Sequence, residues 1–263
     1  MRGMAASTPT VSVIVPTFHE SANLEVLVDR VFRALSTNSI SGELIIVDDD
    51  SKDGTVETIQ RLAGKYPVRL IVRKKDRGLS SAVLHGFAEA KAERFVVMDA
   101  DLQHPPEKLP ELLRCLEAGD CDFVIGSRYI AGAGVEDRWP MHRRWVSRVA
   151  TLLAWPLVPL SDPMSGFFAL RRETWKRAAR LNPVGYKIAL ELYVKCGCRH
   201  PVEVPIRFAV RHAGRSKLSA REQWRYLRHL GRLYRFRFPV GSVVLLFIFI
   251  ALICIMAWIA IKG

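Results

Sequence analysis

Several familiar signatures are missing from this chain, and each absence narrows what it does. Its five cysteines (Cys115, Cys121, Cys196, Cys198 and Cys254) are odd in number and lack zinc-ligand spacing. Cys196 and Cys198 stand too close in sequence for a redox or metal pair. A disulfide framework is therefore not expected, and reduced thiols on the cytosolic side are. Residues 1–10 are small and polar, without the apolar core of a secretory leader. No internal repeat or low-complexity segment occurs. Acidic residues are scarce, with 26 Asp and Glu against 39 Lys and Arg, a net charge of +13. Such an excess calls for a polyanionic partner: nucleic acid, phosphate-bearing ligands or an anionic membrane. No helix-turn-helix, zinc finger or RNA-binding signature is present, which argues against nucleic acid.

What is present begins with enough apolar residues for one substantial core, 49% of 263 residues. The carboxyl end accounts for much of the positive charge. Residues 243–261 carry no charge and are long enough for a transmembrane helix. Just before them Arg221, Arg225, Arg228, Arg232 and Arg235 fall on one helical face, opposite Tyr226, Leu227, Leu230, Leu233 and Tyr234. The pattern predicts an interfacial helix, apolar side toward lipid and arginines toward phosphate headgroups. The positive-inside rule puts the preceding domain in the cytosol. The expected divisions are a tail at 1–10, a catalytic domain at 11–219, an amphipathic juxtamembrane helix at 220–238 and an anchor at 239–263.

Within the domain, strand and helix patterns alternate through residue 126. Strands are expected at 11–15, 44–47, 68–72, 95–98 and 123–125. Helices lie between them, the first capped by Ser21. The alternation predicts an α/β fold with a mostly parallel, doubly wound sheet. Later strands are expected at 166–170 and 202–210, with a helix at 186–195. In open α/β sheets ligands bind beyond the carboxyl ends of the strands. Asp-x-Asp occurs three times, at Asp48/Asp50, Asp99/Asp101 and Asp120/Asp122. The third precedes its strand and reads as a polar turn. The first two follow strands and share the binding edge, one suited to a nucleoside and the other to a divalent cation on a diphosphate. Hard carboxylate oxygens of this kind suit Mg²⁺ or Mn²⁺.

Val15-Pro-Thr-Phe-His-Glu20, Val47-Asp-Asp-Asp-Ser-Lys-Asp-Gly-Thr55, Asp99-Ala-Asp-Leu-Gln-His104 and Gly126-Ser-Arg-Tyr129 together resemble the GT-A glycosyltransferases of family 2. Gly78-Leu-Ser-Ser-Ala-Val-Leu-His-Gly-Phe87, Asp162-Pro-Met-Ser-Gly-Phe167 and the run from Arg211 to Lys217 narrow the resemblance. They point to the single-subunit, yeast-like dolichol-phosphate mannose synthases. That resemblance implies a GT-A Rossmann-like fold, GDP-mannose as donor, dolichyl phosphate as acceptor and Mg²⁺ or Mn²⁺ as cofactor. It also implies an endoplasmic reticulum membrane protein with a single carboxyl-terminal anchor and no need of accessory subunits. The product would be dolichyl β-mannosyl phosphate, a donor for N-glycosylation, GPI anchors and O- and C-mannosylation.

By the same resemblance Pro16, Phe18, Glu20, Val47 and Asp49 hold the nucleoside. Asp99, Ala100 and Asp101 form the donor motif, with Asp99, Asp101 and Gln103 as metal ligands. Asp101, Arg128 and Lys217 carry catalysis, Arg211 and Lys217 sit on a loop closing over the donor, and Arg143 and Ser147 take the acceptor phosphate. Phe18 stands where tyrosine is common, Asp50 where Gly or Asn is usual, and Arg215 where Glu is common. The alternatives are a dolichyl-phosphate glucose synthase using UDP-glucose, or a non-catalytic membrane adaptor with the same fold.

Overall fold

The computed structural model describes residues 8–119, 121–135, 141–182, 187–209, 220–239 and 241; the side chains of 141–146 and 220–222 lie outside it. In chain order the elements are β1 (Val11–Thr17), α1 (Ser21–Thr37), β2 (Gly42–Asp48), α2 (Thr55–Ala63), β3 (Val68–Val72), α3 (Leu79–Glu89) and β4 (Arg94–Val97). A short 3-10 turn, Pro106–Lys108, then leads into α4 (Leu109–Glu117), β5 (Phe123–Ser127), β6 (Gly134–Val135), α5 (Met141–Ala154), β7 (Phe168–Arg171) and α6 (Arg172–Lys176). The last are α7 (Ile188–Lys195), β8 (Pro201–Pro205), β9 (Arg207–Phe208) and α8 (Ala220–Arg237).

Seven strands form one sheet in the order β3-β2-β1-β4-β7-β5-β8, and β6 pairs with β9 beside it. Every pairing in the large sheet is parallel except those of β7, which runs antiparallel to β4 and to β5. Strand periodicity builds the two layers, because successive side chains point to opposite faces. Val11, Val13, Val15, Val96, Met98 and Val124 pack on one face with α1 and α4. Ile14, Ile45, Val47, Phe95, Val97 and Ile125 pack on the other with α3, α7 and α8. The second layer is rich in aromatics: Phe87 stacks on Phe95 at 4.8 Å, and Phe123 lies against Phe168 at 5.5 Å.

The antiparallel strand decides where the site forms. Since β7 enters between β4 and β5 in the opposite sense, its first residues lie at their carboxyl ends: Val97 pairs with Phe168. The segment just before it, 162–167, is thereby delivered to the binding edge. The opposite edge holds Asp122, which accepts backbone N–H groups of Arg199 (3.1 Å) and His200 (3.4 Å) in a polar turn.

Four expectations are corrected. Ser21 does not cap α1. Glu20 precedes the helix, and Asp53 of the neighbouring loop already accepts the Ser21 N–H at 3.1 Å. The strand expected from 166 starts at Phe168. The run expected at 202–210 splits into β8 and β9, which join different sheets on either side of fully buried Ile206. Finally, most of the face of α8 opposite its arginines meets protein, Leu227 alone of its leucines being exposed among the described residues. Tyr226, Leu230 and Leu233 are buried, and the Tyr226 and Tyr234 hydroxyls donate to the Ala150 and Leu153 carbonyls at 2.7 and 2.8 Å. No helix among the described residues is long and apolar enough to cross a membrane; the expected span at 243–261 lies outside them.

Helix α8 also meets α7 through a buried pair. His229 Nδ1 is 3.8 Å from Glu191 Oε2, and Glu191 Oε1 accepts from Lys195 Nζ (2.7 Å) and the Asn182 N–H (2.6 Å). Burial lowers the His229 pKa below its ordinary 6.5; Glu191 opposes this, while Lys195 and Arg232 add to it. A histidine with a depressed folded pKa contributes stability that is present above 6.5 and lost as pH falls through the folded value. The melting temperature should therefore fall on acidification from about pH 7 to about pH 5, and His229→Gln should flatten that dependence in a thermal melt.

Candidate active site

The site is built on the end of β4. After Val97 the chain passes Met98 and turns at Asp99. The Asp99 N–H donates to His104 Nδ1 at 3.2 Å, and Asp101 Oδ1 accepts the Gln103 N–H at 3.2 Å. Leu102, at φ 62°, takes the left-handed backbone the turn needs, a local strain of about 1–2 kcal/mol for a non-glycine residue. His104 is buried between Phe167 and Phe208, at ring distances of 5.4 and 5.3 Å. Burial pushes its pKa down to about 4 although Asp101 pulls the other way. It is a neutral imidazole whose Nδ1 is an acceptor, and it holds the strand end in shape.

Asp101, Gln103 and Ala100 are buried, and Asp99 is about a third exposed. Gln103 is fixed at both ends: its Nε2 donates to the Ala209 carbonyl and its own carbonyl accepts the Ala209 N–H, each at 3.0 Å. With the amide nitrogen anchored, the oxygen is the atom this side chain can turn to a cation. Among the described residues no three His, Cys, Asp or Glu side chains form a metal cluster. Two carboxylates and an amide oxygen do make a hard, incomplete donor set, which suits Mg²⁺ or Mn²⁺ that takes its remaining oxygens from a diphosphate and water.

Gly166, just before β7, lies against Asp99. A Cβ built there would stand 2.9 Å from Asp99 Oδ2 and 3.1 Å from Oδ1. Only a glycine leaves this carboxylate its position.

Beside the carboxylates stands a held cation. Arg128 Nε and Nη2 donate to Asp162 Oδ2 and Oδ1 at 2.7 and 2.8 Å, and the Arg128 N–H donates to Oδ2 at 3.1 Å. Asp162 is fully buried, and its loop is tied in turn by Ser161 and Asp162 N–H bonds to Glu203 at 3.0 and 3.3 Å. The guanidinium also sits 5.1 Å from the Phe208 ring and 5.3 Å from that of Tyr129. Burial works against its charge, but Asp162 more than compensates and the pKa is raised. Lys187, the residue before α7, shares this field. Burial and then Arg128 push it down to about 7, while Asp162 and Asp99 pull it up. Asp162, Gly166 and Lys187 carried no assigned role in the sequence. The first two lay inside a quoted motif, and Lys187 in the helix expected at 186–195, of which the described part begins at Ile188.

The nucleoside candidates gather at the ends of β1 and β2. Pro16 and Val47 are register partners, and both residues are buried in the sheet. Phe18 is 40% exposed, its ring 4.1 Å from that of His19. Glu20 Oε2 accepts from Asn23 Nδ2 at 2.7 Å. Asp49 is buried under Arg73, which donates through Nε (2.9 Å) and Nη2, and under the Gly78 N–H at 2.7 Å. These bonds pin β2, β3 and the start of α3 together. Asp50, at φ 59°, pairs with Arg77 at 3.0 Å and Lys52 at 3.8 Å, so its extra charge is offset locally.

On the acceptor side, Ser147 Oγ is 3.0 Å from Tyr129 Oη. Arg143 lies one turn earlier on α5 with its side chain outside the described residues, as are Arg211, Arg215 and Lys217.

The geometry has counterparts among known proteins. A family model described as glycosyl transferase family 2 matches residues 12–177. A dolichol-phosphate mannosyltransferase of Mycosarcoma maydis is 47% identical over 262 residues, covering 97% of this chain and 88% of that protein. One from Saccharomyces cerevisiae is 47% identical over 247 residues, covering 90% and 92%. Among solved structures, glucosyl-3-phosphoglycerate synthase from Mycobacterium tuberculosis, in complex with Mn²⁺, UDP-glucose and phosphoglyceric acid, matches with a TM-score of 0.62 at 19% identity. That match covers 88% of this chain and 80% of the other, and it shows a shared GT-A-like fold.

Proposed function

The chain belongs to glycosyl transferase family 2, and we propose that it moves mannose from GDP-mannose to dolichyl phosphate with inversion at the anomeric carbon. The observation that carries sugar and acceptor is the 47% identity over 97% of the chain to a dolichol-phosphate mannosyltransferase. The site supplies what such a transfer needs: carboxylates for a metal-bound diphosphate, with cations beside them.

Asp99, Asp101 and Gln103 would hold Mg²⁺ or Mn²⁺, whose contribution when bound is to neutralise charge on the departing diphosphate. Arg128, oriented by Asp162, adds positive charge where the leaving group gains negative charge, and Lys187 adds to it in its protonated form. Arg211 and Lys217, outside the described residues, would add their charge. Pro16, Phe18, Glu20, Val47 and Asp49 form the nucleoside end. Arg143 and Ser147 would take the acceptor phosphate and aim it at the face of the sugar opposite the diphosphate. That attack yields a β-mannosyl phosphate. No general base is required, because a phosphate monoester with a second pKa of about 6 is already an anion at neutral pH. His104 is not one, since its Nδ1 already accepts the Asp99 N–H.

The acceptor is a lipid, so the surface around Ser147 should meet the bilayer. The exposed apolar residues in and beside the two packed helices support this: Val149 and Leu152 on α5, Trp155 just after it, and Trp224 and Leu227 on α8. These, rather than Tyr226, Leu230 and Leu233, are the candidates for lipid contact. With residues 243–261 as anchor and the arginines of α8 at the cytosolic headgroups, the enzyme would work at the endoplasmic reticulum membrane.

Purified protein in detergent, given dolichyl phosphate and either GDP-mannose or UDP-glucose, tests the reading. Mannosyl lipid from GDP-mannose and none above background from UDP-glucose is expected; the reverse pattern would make it a glucose synthase.

A further inference from the structure

We infer that Tyr129 is a positioning residue for the acceptor, orienting the Ser147 hydroxyl that meets the phosphate of the incoming lipid. The inference rests on the acceptor proposed above. Tyr129 follows Arg128 at the end of β5, in a turn closed by its N–H to Ser127 Oγ at 3.4 Å. Its ring lies against the Arg128 guanidinium at 5.3 Å, and its hydroxyl reaches Ser147 Oγ on α5 at 3.0 Å. One side chain thus spans from the cation held by Asp162 to the helix that carries the acceptor residues.

Stability is a weak reason for this contact. Tyr129 is 43% exposed, and both hydroxyls have water as an alternative partner. A hydrogen bond of this kind contributes about 0.5–1.5 kcal/mol at most. Its chemistry suits a ligand better. Two hydroxyls in contact share one hydrogen between them. When the phenol donates to Ser147 Oγ, the serine hydrogen is turned outward, where an anionic oxygen accepts it. A phosphate monoester offers three such oxygens. Without the phenol, Ser147 spreads its hydrogen over several rotamers and over water, and the phosphate must select one of them. The phenol stands a ring's length from the guanidinium that serves the departing diphosphate, which sets the acceptor phosphate apart from it, as an opposite-face attack on the sugar between them requires.

Tyr129→Phe keeps the ring and its contact with Arg128 and removes only the hydroxyl. Initial rates in detergent, with dolichyl phosphate and GDP-mannose varied separately, should show the KM for dolichyl phosphate raised about tenfold. The KM for GDP-mannose and the melting temperature should be unchanged. Ser147→Ala should have a similar effect, and the double variant should be no worse than Ser147→Ala alone, because the phenol acts through the serine. An unchanged acceptor KM in Tyr129→Phe, an equal rise in both KM values, or additive effects in the double variant would each overturn the inference and leave the proposed function standing. Absence of wild-type mannosyl transfer to dolichyl phosphate would overturn both.

Discussion

Asp162→Ala should cost the protein both transfer activity and stability. Asp162 is fully buried, and the Arg128 side chain it holds is only 11% exposed. Removing one partner of a buried, doubly hydrogen-bonded ion pair leaves the other as an uncompensated charge, at a cost of about 3–5 kcal/mol. In a domain of this size each kcal/mol lowers the melting temperature by about 2–4 °C, so a fall on the order of 10 °C is expected. The guanidinium would then swing toward solvent and leave the diphosphate, and displacements of about 1 Å at such a site cost on the order of 100-fold in rate. Asp162→Asn separates the two effects. It keeps the shape and one acceptor, so much of the stability should return while the electrostatic hold on Arg128 does not. Thermal melts and initial rates on both variants check this. Wild-type values of both in Asp162→Ala would show that Arg128 is held some other way.

The importance of Asp162 was out of reach before the strand directions were known. Periodicity marks a strand near Phe168 but does not encode its direction or its neighbours. Only the insertion of β7, antiparallel, between β4 and β5 brings Asp162 to Arg128 and Gly166 to Asp99. The parallel half was legible for the opposite reason. Continuous apolar runs such as Leu44 to Val47, each closed by polar residues, fix both the strand and the end at which its chemistry lies. That is why Asp99 and Asp101 could be told from Asp122 by sequence position alone. Lys187 was missed because the pattern runs it into the helix that it only precedes, and a lysine alone says nothing about its burial. Helix α8 shows the limit of an amphipathic pattern. Its apolar face had to be covered, but α5 and α7 cover most of it, which leaves Leu227 of that face, with Trp224 beside it, as the candidate lipid contacts.

The excess positive charge is also distributed differently from what the net figure suggests. At the binding edge Arg73 is matched by Asp49, Arg77 by Asp50 and Arg128 by Asp162. These paired cations are fixed in place before a substrate arrives, which is what electrostatic stabilisation of a leaving group requires. The arginines Arg225, Arg228, Arg232 and Arg235 lie on α8.

Asp101→Asn should leave the fold intact and remove most of the transfer. Asp101 is 5% exposed, and its Oδ1 accepts the Gln103 N–H at 3.2 Å. An asparagine keeps an oxygen for that bond. The left-handed Leu102, the His104 contact with Asp99 and the Gln103 clamp on Ala209 should all persist, and the melting temperature should stay close to wild type. What is lost is one negative charge and one anionic ligand at the diphosphate. Loss of a comparable electrostatic contribution costs about 100- to 1000-fold in kcat in other enzymes, and a fall of that order is expected here. Mn²⁺ binding, followed by electron paramagnetic resonance of the free ion, should weaken at least about tenfold, which separates a ligand from a residue that merely shapes the turn. Wild-type Mn²⁺ affinity with reduced turnover would take Asp101 out of the metal site and leave it a role in the turn; wild-type values of both would remove it from the chemistry altogether.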